Sequence, residues 1–328
     1  MKTILSSIEN GDVRATLLAE SGDISSAGGE RAAVEDCIGR FRAENGLEAL
    51  ALTRVTRMEA RPDGSLEFDF DAAVPPRVEL GQYLGVEVYI PAGESRDYHV
   101  LRAVTENLHA DIPETYFERK TDGLVAQRRE DVASRPAFST LADMYYIMRS
   151  VNDELALGIP DGEVWNAASA AADDSSVRRS RMSGMEDIVS ELCMSLFGTL
   201  PTPEQEDCVR RCLDARAEEK RASDPEKLAD ESFECYLRLA GKSMEELRKE
   251  FRSDAVALVR MDLLIDEVAK RERLEISEEE LKKAVDLIAD MYAMAPEEVV
   301  RTVGEDAIRA RLIRDKARAM IVDSAVAI

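Results

Sequence analysis

Aromatic residues and histidines are scarce in this sequence, which limits the chemistry that it can support. Aromatics make up 5% of the 328 residues, and the two histidines are His99 and His109. Two zinc-binding histidines on one helix need a spacing near four, as in His-Glu-x-x-His, and these two lie further apart. We therefore expect neither histidine to bind a metal.

Nucleotide-binding and nucleophile motifs are missing as well. The sequence contains no Gly-x-x-x-x-Gly-Lys-Ser/Thr, no Gly-x-Gly-x-x-Gly and no Gly-x-Ser-x-Gly. The first two motifs cradle phosphates on backbone amides, and the third presents the serine of many hydrolases. We expect no catalytic residue, no cofactor and no enzymatic activity.

Long apolar runs are absent, and the cysteines form no disulfide framework. No window approaches the ~18 apolar residues of a membrane span, and the first residues carry no leader pattern, so we expect a cytoplasmic protein without a membrane partner. Cys208 and Cys212 share one helix face, but no second Cys/His pair lies nearby in sequence, and we expect no metal site. The remaining cysteines, interpreted as reduced thiols, are Cys37, Cys193 and Cys235.

Acidic residues dominate the charge of the chain. Lysine and arginine number 43 against 66 aspartates and glutamates, a formal net charge of −23. A surface of this sign repels phosphate backbones, so we expect no nucleic-acid partner and interpret Arg178-Arg179 as a solvated stretch. The composition is 45% hydrophobic and 33% charged, as in folded proteins, and the length predicts two or three domains.

Residues 1–91 predict a small α+β domain. Asn10-Gly11 is a strong hairpin signal, and a second hairpin is predicted around Pro62-Asp63-Gly64. Between the two hairpins, an apolar stripe that includes Phe41 predicts a short helix. Residues 25–29 are small and predict a connector rather than a regular element.

From residue 97 onward, helical periodicity replaces the strand patterns. The apolar positions of residues 100–112 recur 88 residues later, with the following proline kept. Repeated helix pairs stack because neither pair buries its apolar face alone. We therefore interpret residues 92–175 as a helical segment and a degenerate repeat of the C-terminal one, and residues 173–183 as a linker.

The last third of the chain carries the strongest helix signals. Ser277 with Glu280 forms a capping box, in which each side chain satisfies an amide that the other leaves open. Pro296 begins a further helix, with acids near its positive end. The helices with apolar stripes run in order over residues 259–272, 281–291 and 308–320.

This ordered string resembles the C-terminal chaperone domain of the trigger factor family of bacterial chaperones, and the N-terminal hairpins and helix resemble the N-terminal domain of the same family. The resemblance implies a mostly α protein with a small α+β N-terminal domain, and a helical chaperone body with arms around a cradle. The resemblance covers residues 1–91 and 185–328, and together with the helical segment it predicts domains over residues 1–91, 92–175 and 176–328. It also implies an ATP-independent chaperone that holds unfolded or nascent polypeptides, with a homodimer left open.

Two departures from the family pattern change this expectation. The family's docking string Gly-Phe-Arg-x-Gly-x-x-Pro is absent, and Phe41 in the nearest string, residues 39–46, fits the apolar stripe of its helix. Ribosome contact is therefore expected to be weak or absent. The family's FKBP-like prolyl isomerase domain is a twisted sheet, whereas residues 97–175 predict helices, so no isomerase activity is expected.

Helices that carry methionine and tyrosine are the candidate polypeptide-binding surfaces. Methionine is flexible and polarizable, and it recurs on surfaces that fit many apolar partners. The other interpretation of each residue is ordinary core filling. The candidates form three clusters: Met144, Tyr145, Tyr146 and Met148; Met182, Met185, Met194 and Phe197; and Met291, Tyr292 and Met294.

Two other functions stay open from the sequence. Assignment by family alone implies a peptidyl-prolyl isomerase, and a helical adaptor for one dedicated protein partner fits the same composition. The three functions differ in what they do to a client. A chaperone protects several unrelated clients, an adaptor binds one partner, and an isomerase accelerates proline-limited refolding.

Overall fold

The computed structural model describes residues 2–173 and 185–328. The chain forms two compact units. The terminal unit combines Met1–Thr121 with Arg252–Ile328, and the central unit is Asp122–Phe251. Within the described residues, no helix combines the length and the apolarity that crossing a bilayer requires.

The compact units do not follow the predicted boundaries at residues 91 and 175. The helices Glu114–Ala133 and Met244–Arg271 each contribute residues to both units. The three-domain division therefore stays a prediction. The linker predicted at residues 173–183 lies outside the described residues, apart from Asp173.

The described residues form eight strands and thirteen helices. The strands are β1 (Lys2–Glu9), β2 (Asp12–Ala19), β3 (Ala51–Ala60), β4 (Leu66–Ala73), β5 (Val78–Glu79), β6 (Glu87–Val88), β7 (His109–Ala110) and β8 (Val326–Ala327). The helices are α1 (Ser21–Ala27), α2 (Glu30–Glu44), α3 (Arg96–Glu106), α4 (Glu114–Ala133), α5 (Pro136–Glu154), α6 (Asp161–Asp173), α7 (Met185–Phe197), α8 (Pro203–Ala222), α9 (Pro225–Leu239), α10 (Met244–Arg271), α11 (Glu278–Tyr292), α12 (Pro296–Val303) and α13 (Glu305–Ser324). The predicted fold class is confirmed, since most of these residues are helical and the main sheet lies near the N-terminus.

The N-terminal sheet is built from the two predicted hairpins. Its strand order is β1-β2-β4-β3, with every neighbour antiparallel. Asn10 and Gly11 form the two-residue turn with φ of 52° and 85°, the left-handed conformation that such a tight hairpin requires. A side chain at Gly11 would also meet Pro113, because an added Cβ would lie 2.7 Å from its Cγ.

The core of the N-terminal sheet lies between its two central strands and helix α2. Along β2 and β4, buried side chains alternate with more exposed ones, as expected for a sheet with one covered face. Phe41 on α2 is fully buried, and its ring centroid lies 5.5 Å from that of Phe70. The prediction that Phe41 fills the core is confirmed.

The predicted connector at residues 25–29 is partly helical, so that prediction was wrong for its first residues. Helix α1 forms because Glu20 and Asp23 make a capping box at its start. Arg40 of α2 donates to Asp23 at 2.8 Å, and this contact holds α1 against α2. At its end, Gly28 adopts the left-handed conformation that closes many helices.

A second core of the terminal unit joins elements that are distant in sequence. Helices α3, α10 and α13 contribute its best-buried side chains, which are Val100, Leu101, Leu264, Val268 and Ile321. Beside this core, β6 pairs in parallel with β8. Arg96 strengthens the junction by donating to the carbonyl of Ala325 at 2.6 Å.

The C-terminal helices begin where the sequence predicted. Ser277 and Glu280 form the predicted capping box at the start of α11, and Pro296 occupies the first turn of α12. On the inner face of α11, Leu281, Val285 and Ala289 form a core with Val299 and Ile308.

We expect Ser277→Ala to lower the free energy of unfolding by about 1 kcal/mol, because the first turn of α11 loses a side-chain acceptor. The pKa of Glu280 is lowered to about 2, first because the Ser277 amide donates to its carboxylate and then because Lys316 lies beside it. A depressed folded-state pKa stabilises the protein above the usual value of 4.5, and this stabilisation is lost as the pH falls toward 2. The stability difference between wild type and Glu280→Gln in urea titrations should therefore shrink over this interval. A difference that stays constant from pH 7 to pH 3 would contradict the capping role.

The central unit is helical. Residues 92–175 were predicted to be helical, and residues 96–173 form helices α3 to α6 with one short strand. Helices α7, α8 and α9 begin 89 residues after α3, α4 and α5 (185 − 96, 203 − 114 and 225 − 136). Helices α4 and α8 are both 20 residues long. The compact units divide the two sets of helices differently, and the degenerate repeat stays a prediction.

One charged cluster is buried in the central unit. Arg216 on α8 is 6% exposed and donates to Asp143 at 3.2 Å, to Glu219 at 3.0 Å and to Glu231. Burial alone would lower the pKa of the guanidinium, but the surrounding carboxylates raise it above its ordinary value. Lys220 adds a second cation 2.7 Å from Asp143. The cluster thereby links α5, α8 and α9 through paired charges.

Candidate polypeptide-binding surfaces

The first predicted cluster lies inside the central unit and does not form a surface. Met144, Tyr145 and Met148 are 5%, 8% and 0% exposed, and they pack with Trp165 in one hydrophobic core. Their role as client contacts is therefore corrected, because a side chain in a closed core cannot touch a client while the protein is folded. The other interpretation, core filling, holds for these three residues.

Tyr146, the fourth member of this cluster, is half-buried and already has partners. The guanidinium of Arg216 lies 4.9 Å from its ring centroid, and its hydroxyl donates to Glu234 at 3.5 Å. Burial, with nearby acidic groups, raises its pKa to about 12. The structure therefore gives Tyr146 a role in packing, and little of its ring is available to a client.

The members of the second predicted cluster differ in their exposure to solvent. Met182 lies outside the described residues, and Met185 is the first residue of α7, where its side chain is not described. Met194 is 44% exposed, whereas Phe197 packs partly against the core of the central unit. Leu200, which the sequence analysis missed, follows α7 with 83% of its surface exposed.

The third cluster gives the clearest exposed apolar surface. Met291 and Tyr292 are each 67% exposed, and Leu287, one helical turn before Met291, is 63% exposed. We name these three residues the α11 surface. Met294 lies beyond the helix and packs partly against the core beneath it. The sequence analysis missed Leu287 because it selected methionines and tyrosines, although the spacing of four residues was visible.

The α11 surface exists because α11 is apolar on two faces. Its inner face fills the core shared with α12 and α13. Leu287 and Met291 are neighbours at i and i+4, and they lie on the side that this core does not cover. Exposed apolar side chains are normal when single, but adjacent ones indicate a site for an apolar partner.

A groove in the terminal unit adds a second apolar site. Helices α3 and α10 line a cavity of about 490 Å³. The lining side chains include Tyr98 and Arg102 on α3, and Val256, Arg260 and Met261 on α10. Tyr98 is 55% exposed, and Arg260 is held in place by donating to the carbonyl of Leu108 at 2.8 Å. The groove has a largely apolar lining with charged groups of both signs, since Glu106 also lines it and pairs with Arg102, and the sequence analysis did not identify it.

The class of the protein follows from the C-terminal helices. Residues 225–323, from α9 nearly to the end of α13, match the family described as "Bacterial trigger factor protein (TF) C-terminus". This range contains the predicted caps and the α11 surface. It defines a helical module of the trigger factor type.

Individual relatives agree with this class. The trigger factor of Streptococcus mutans is 36% identical over 94 residues, which are 29% of this chain and 22% of that protein. The trigger factor of Caldicellulosiruptor bescii is 35% identical over 77 residues, 24% of this chain and 18% of that protein. The trigger factor of Streptomyces avermitilis is 24% identical over 360 residues, 89% of this chain and 77% of that protein.

These matches confirm the predicted resemblance to the trigger factor family. The chain spans about a fifth of the length of the first two relatives, with 22% and 18% of each covered. A solved structure titled "Promiscuous Substrate Recognition in Folding and Assembly Activities of the Trigger Factor Chaperone" is 13% identical with a TM-score of 0.34, covering 98% of this chain and 99% of that one.

Proposed function

We propose that this protein is an ATP-independent chaperone that holds unfolded or nascent polypeptides through exposed apolar side chains. The observation that carries the proposal is the α11 surface, because it lies within residues 225–323, the range related to the trigger factor C-terminus. Leu287, Met291 and Tyr292 are all more than half exposed. A hydrophobic surface of this kind is costly in water unless a partner covers it part of the time.

Binding on such a surface is weak for each contact and gains strength from the number of contacts. Removing apolar surface from water contributes about 25 cal/mol per Å², so one shallow side chain supplies on the order of 1 kcal/mol or less. Met291 and Met194 adapt to many shapes because their side chains are unbranched. A client that meets several such patches is held without a chemical step and is shielded from aggregation until it folds.

The net charge of −23 adds selectivity to this proposal. Electrostatic complementarity favours partners of opposite sign and raises their association rate. Clients with basic as well as apolar residues should therefore be captured faster than acidic clients. The same charge keeps the loaded chaperone molecules apart, which opposes their coaggregation.

The proposal is tested by light scattering from two unrelated unfolded clients mixed with the full chain at equimolar ratio and without nucleotide. The chain should delay aggregation of both, and Leu287→Ser/Met291→Ser/Tyr292→Ser should shorten the delay by several-fold. The variant should keep its helical circular dichroism, since all three side chains are exposed.

A matched control removes exposed apolar side chains elsewhere. Tyr89 and Leu239 are 70% and 58% exposed and lie outside the α11 surface, so Tyr89→Ser/Leu239→Ser should protect clients nearly as well as wild type. If the wild-type chain protects neither client, the chaperone proposal fails. Protection of one client alone would favour an adaptor with a dedicated partner.

We also propose that the protein lacks prolyl isomerase activity. The support is the helical fold of residues 96–173, where the sequence analysis expected helices instead of the family's twisted-sheet domain. In a proline-limited refolding assay, micromolar protein should leave the slow phase at its uncatalysed rate. A slow phase that accelerates in proportion to protein concentration would refute this part of the proposal.

Weak or absent ribosome contact belongs to the same proposal. Phe41, the aromatic residue of the string nearest to the family's docking signature, is fully buried against Phe70. Residues Ser21–Ala27 form helix α1 in the region before it. The acidic net charge of the chain provides no general attraction to ribosomal RNA.

A further inference from the structure

Two cysteines and a glutamate that are distant in sequence meet in the central unit. Cys208 and Cys212 lie one turn apart on α8, and Glu154 is the last residue of α5. One ligand atom from each residue, the two Sγ atoms and a carboxylate oxygen, lie within 4.8 Å of one another. The sequence analysis expected no metal site here because it found no partner ligand near the cysteine pair.

Glu154 supplies the carboxylate of the cluster, and Arg211 orients it. Glu154 ends a helix that has no basic residue in its last turn, so the carboxylate adds to the negative end of the helix dipole. Arg211 donates to Oε1 of Glu154, with Nε at 3.2 Å. The other oxygen, Oε2, lies 3.6 Å from Sγ of Cys212. One carboxylate oxygen is thus held by an arginine while the other points at the thiols.

We propose that Glu154, Cys208 and Cys212 form a binding site for a thiophilic divalent cation such as Zn²⁺. Zinc bonds to sulfur at about 2.3 Å and to carboxylate oxygen at about 2.0–2.2 Å, with tetrahedral geometry. These lengths place a sulfur and an oxygen ligand about 3.6 Å apart, which is the separation of Glu154 Oε2 and Cys212 Sγ. Three protein ligands leave the fourth position to water, as in open zinc sites.

Burial of the two thiols and exposure of the carboxylate define a route for the ion. Cys208 and Cys212 are 0% and 6% exposed, whereas 42% of the Glu154 side chain is exposed. The ion therefore enters from the side of Glu154. Sulfur ligands select zinc and other soft ions over Mg²⁺ and Ca²⁺, which prefer oxygen.

Binding requires no oxidant or reductant. Each thiol loses its proton to solvent as its sulfur bonds to the ion. The two thiolates and the carboxylate carry three negative charges against the two positive charges of the ion. Arg211, whose guanidinium is bound to Glu154 and to Asp207, lies beside the remaining negative charge.

The test is a Co²⁺ titration of the full chain after treatment with chelator and reductant, under anaerobic conditions. Tetrahedral Co²⁺ gives strong visible ligand-field bands, and thiolate ligation adds a near-ultraviolet sulfur-to-cobalt charge-transfer band. One equivalent should produce both features, and Zn²⁺ should remove them stoichiometrically. Cys208→Ser and Cys212→Ser should each roughly halve the charge-transfer band or abolish it.

Glu154→Gln separates loss of metal binding from loss of folding. The Glu154 side chain is exposed, so its replacement leaves the core intact. Its Co²⁺ dissociation constant should rise by at least ~10-fold, the smallest loss usual for a supporting residue of a metal site. Cys235→Ser is the matched control, since Cys235 is a buried cysteine of the same hydrophobic core. Its spectra and affinity should equal those of wild type. The proposal is overturned if reduced wild-type protein shows no charge-transfer band, or if Glu154→Gln binds Co²⁺ as tightly as wild type.

Discussion

Met148→Ala is expected to lower the free energy of unfolding by about 2–5 kcal/mol. Met148 is fully buried in the core that α5, α6, α7 and α8 share. Truncation removes three heavy atoms from this core and leaves a cavity that its neighbours fill only in part. Chemical denaturation followed by far-ultraviolet circular dichroism measures the change.

Met291→Ala is the matched control for this substitution. Met291 is 67% exposed, so the same chemical change should alter the free energy of unfolding by no more than ~0.5 kcal/mol. Met291→Ala should weaken the protection of unfolded clients, because Met291 belongs to the α11 surface. Met148 lies in a core, so Met148→Ala should act on stability instead. Equal destabilisation by the two variants would contradict the assignment of Met148 to the core.

Arg216→Met is expected to lower the free energy of unfolding by about 3–5 kcal/mol, because breaking a buried ion pair leaves an uncompensated buried charge. Glu231, whose side chain is 9% exposed, loses its close guanidinium partner and keeps the more distant Lys227, at 4.0 Å. Asp143 keeps Lys220 at 2.7 Å, so most of the loss comes from Glu231. Equilibrium unfolding in urea gives the magnitude.

Two further variants test whether the buried charge causes this loss. Arg216→Met/Glu231→Met removes both partners and should recover part of the lost stability, since replacing a whole buried pair by apolar side chains is often nearly neutral. Arg211→Met removes an arginine of the same helix whose side chain is 54% exposed and should cost ~1 kcal/mol or less. A double variant less stable than Arg216→Met would show that packing dominates.

The elements that the sequence predicted best are those with local chemical signals. The Asn10-Gly11 hairpin needs left-handed backbone at two adjacent residues, which this dipeptide provides. The capping box at Ser277 satisfies an amide three residues away. Such signals act within a few residues and do not depend on the rest of the fold, so they are readable from the chain alone.

The candidate surfaces depended on distant parts of the chain and were harder to predict. Helix α5 is apolar on several sides, and its packing against α6, α8 and α9 decides that Met144 and Met148 are buried. Glu154 meets Cys212 across a long sequence separation, with no local pattern to signal it. The contact that holds α1 against the next helix likewise comes from Arg40, outside α1 itself. Burial and pairing of this kind follow from tertiary packing.

The division of the chain between the two units sets the order in which they can fold during synthesis. The central unit is continuous, Asp122–Phe251, whereas the terminal unit needs Arg252–Ile328 to complete the structure begun by Met1–Thr121. At about 5–20 residues per second, the last segment takes roughly 4–15 seconds to emerge. During that time Val100 and Leu101 have no α10 or α13 to pack against. A protein proposed to shield other chains therefore exposes its own apolar surface while it is being made, and Met1–Thr121 waits longest for the segment that completes its unit.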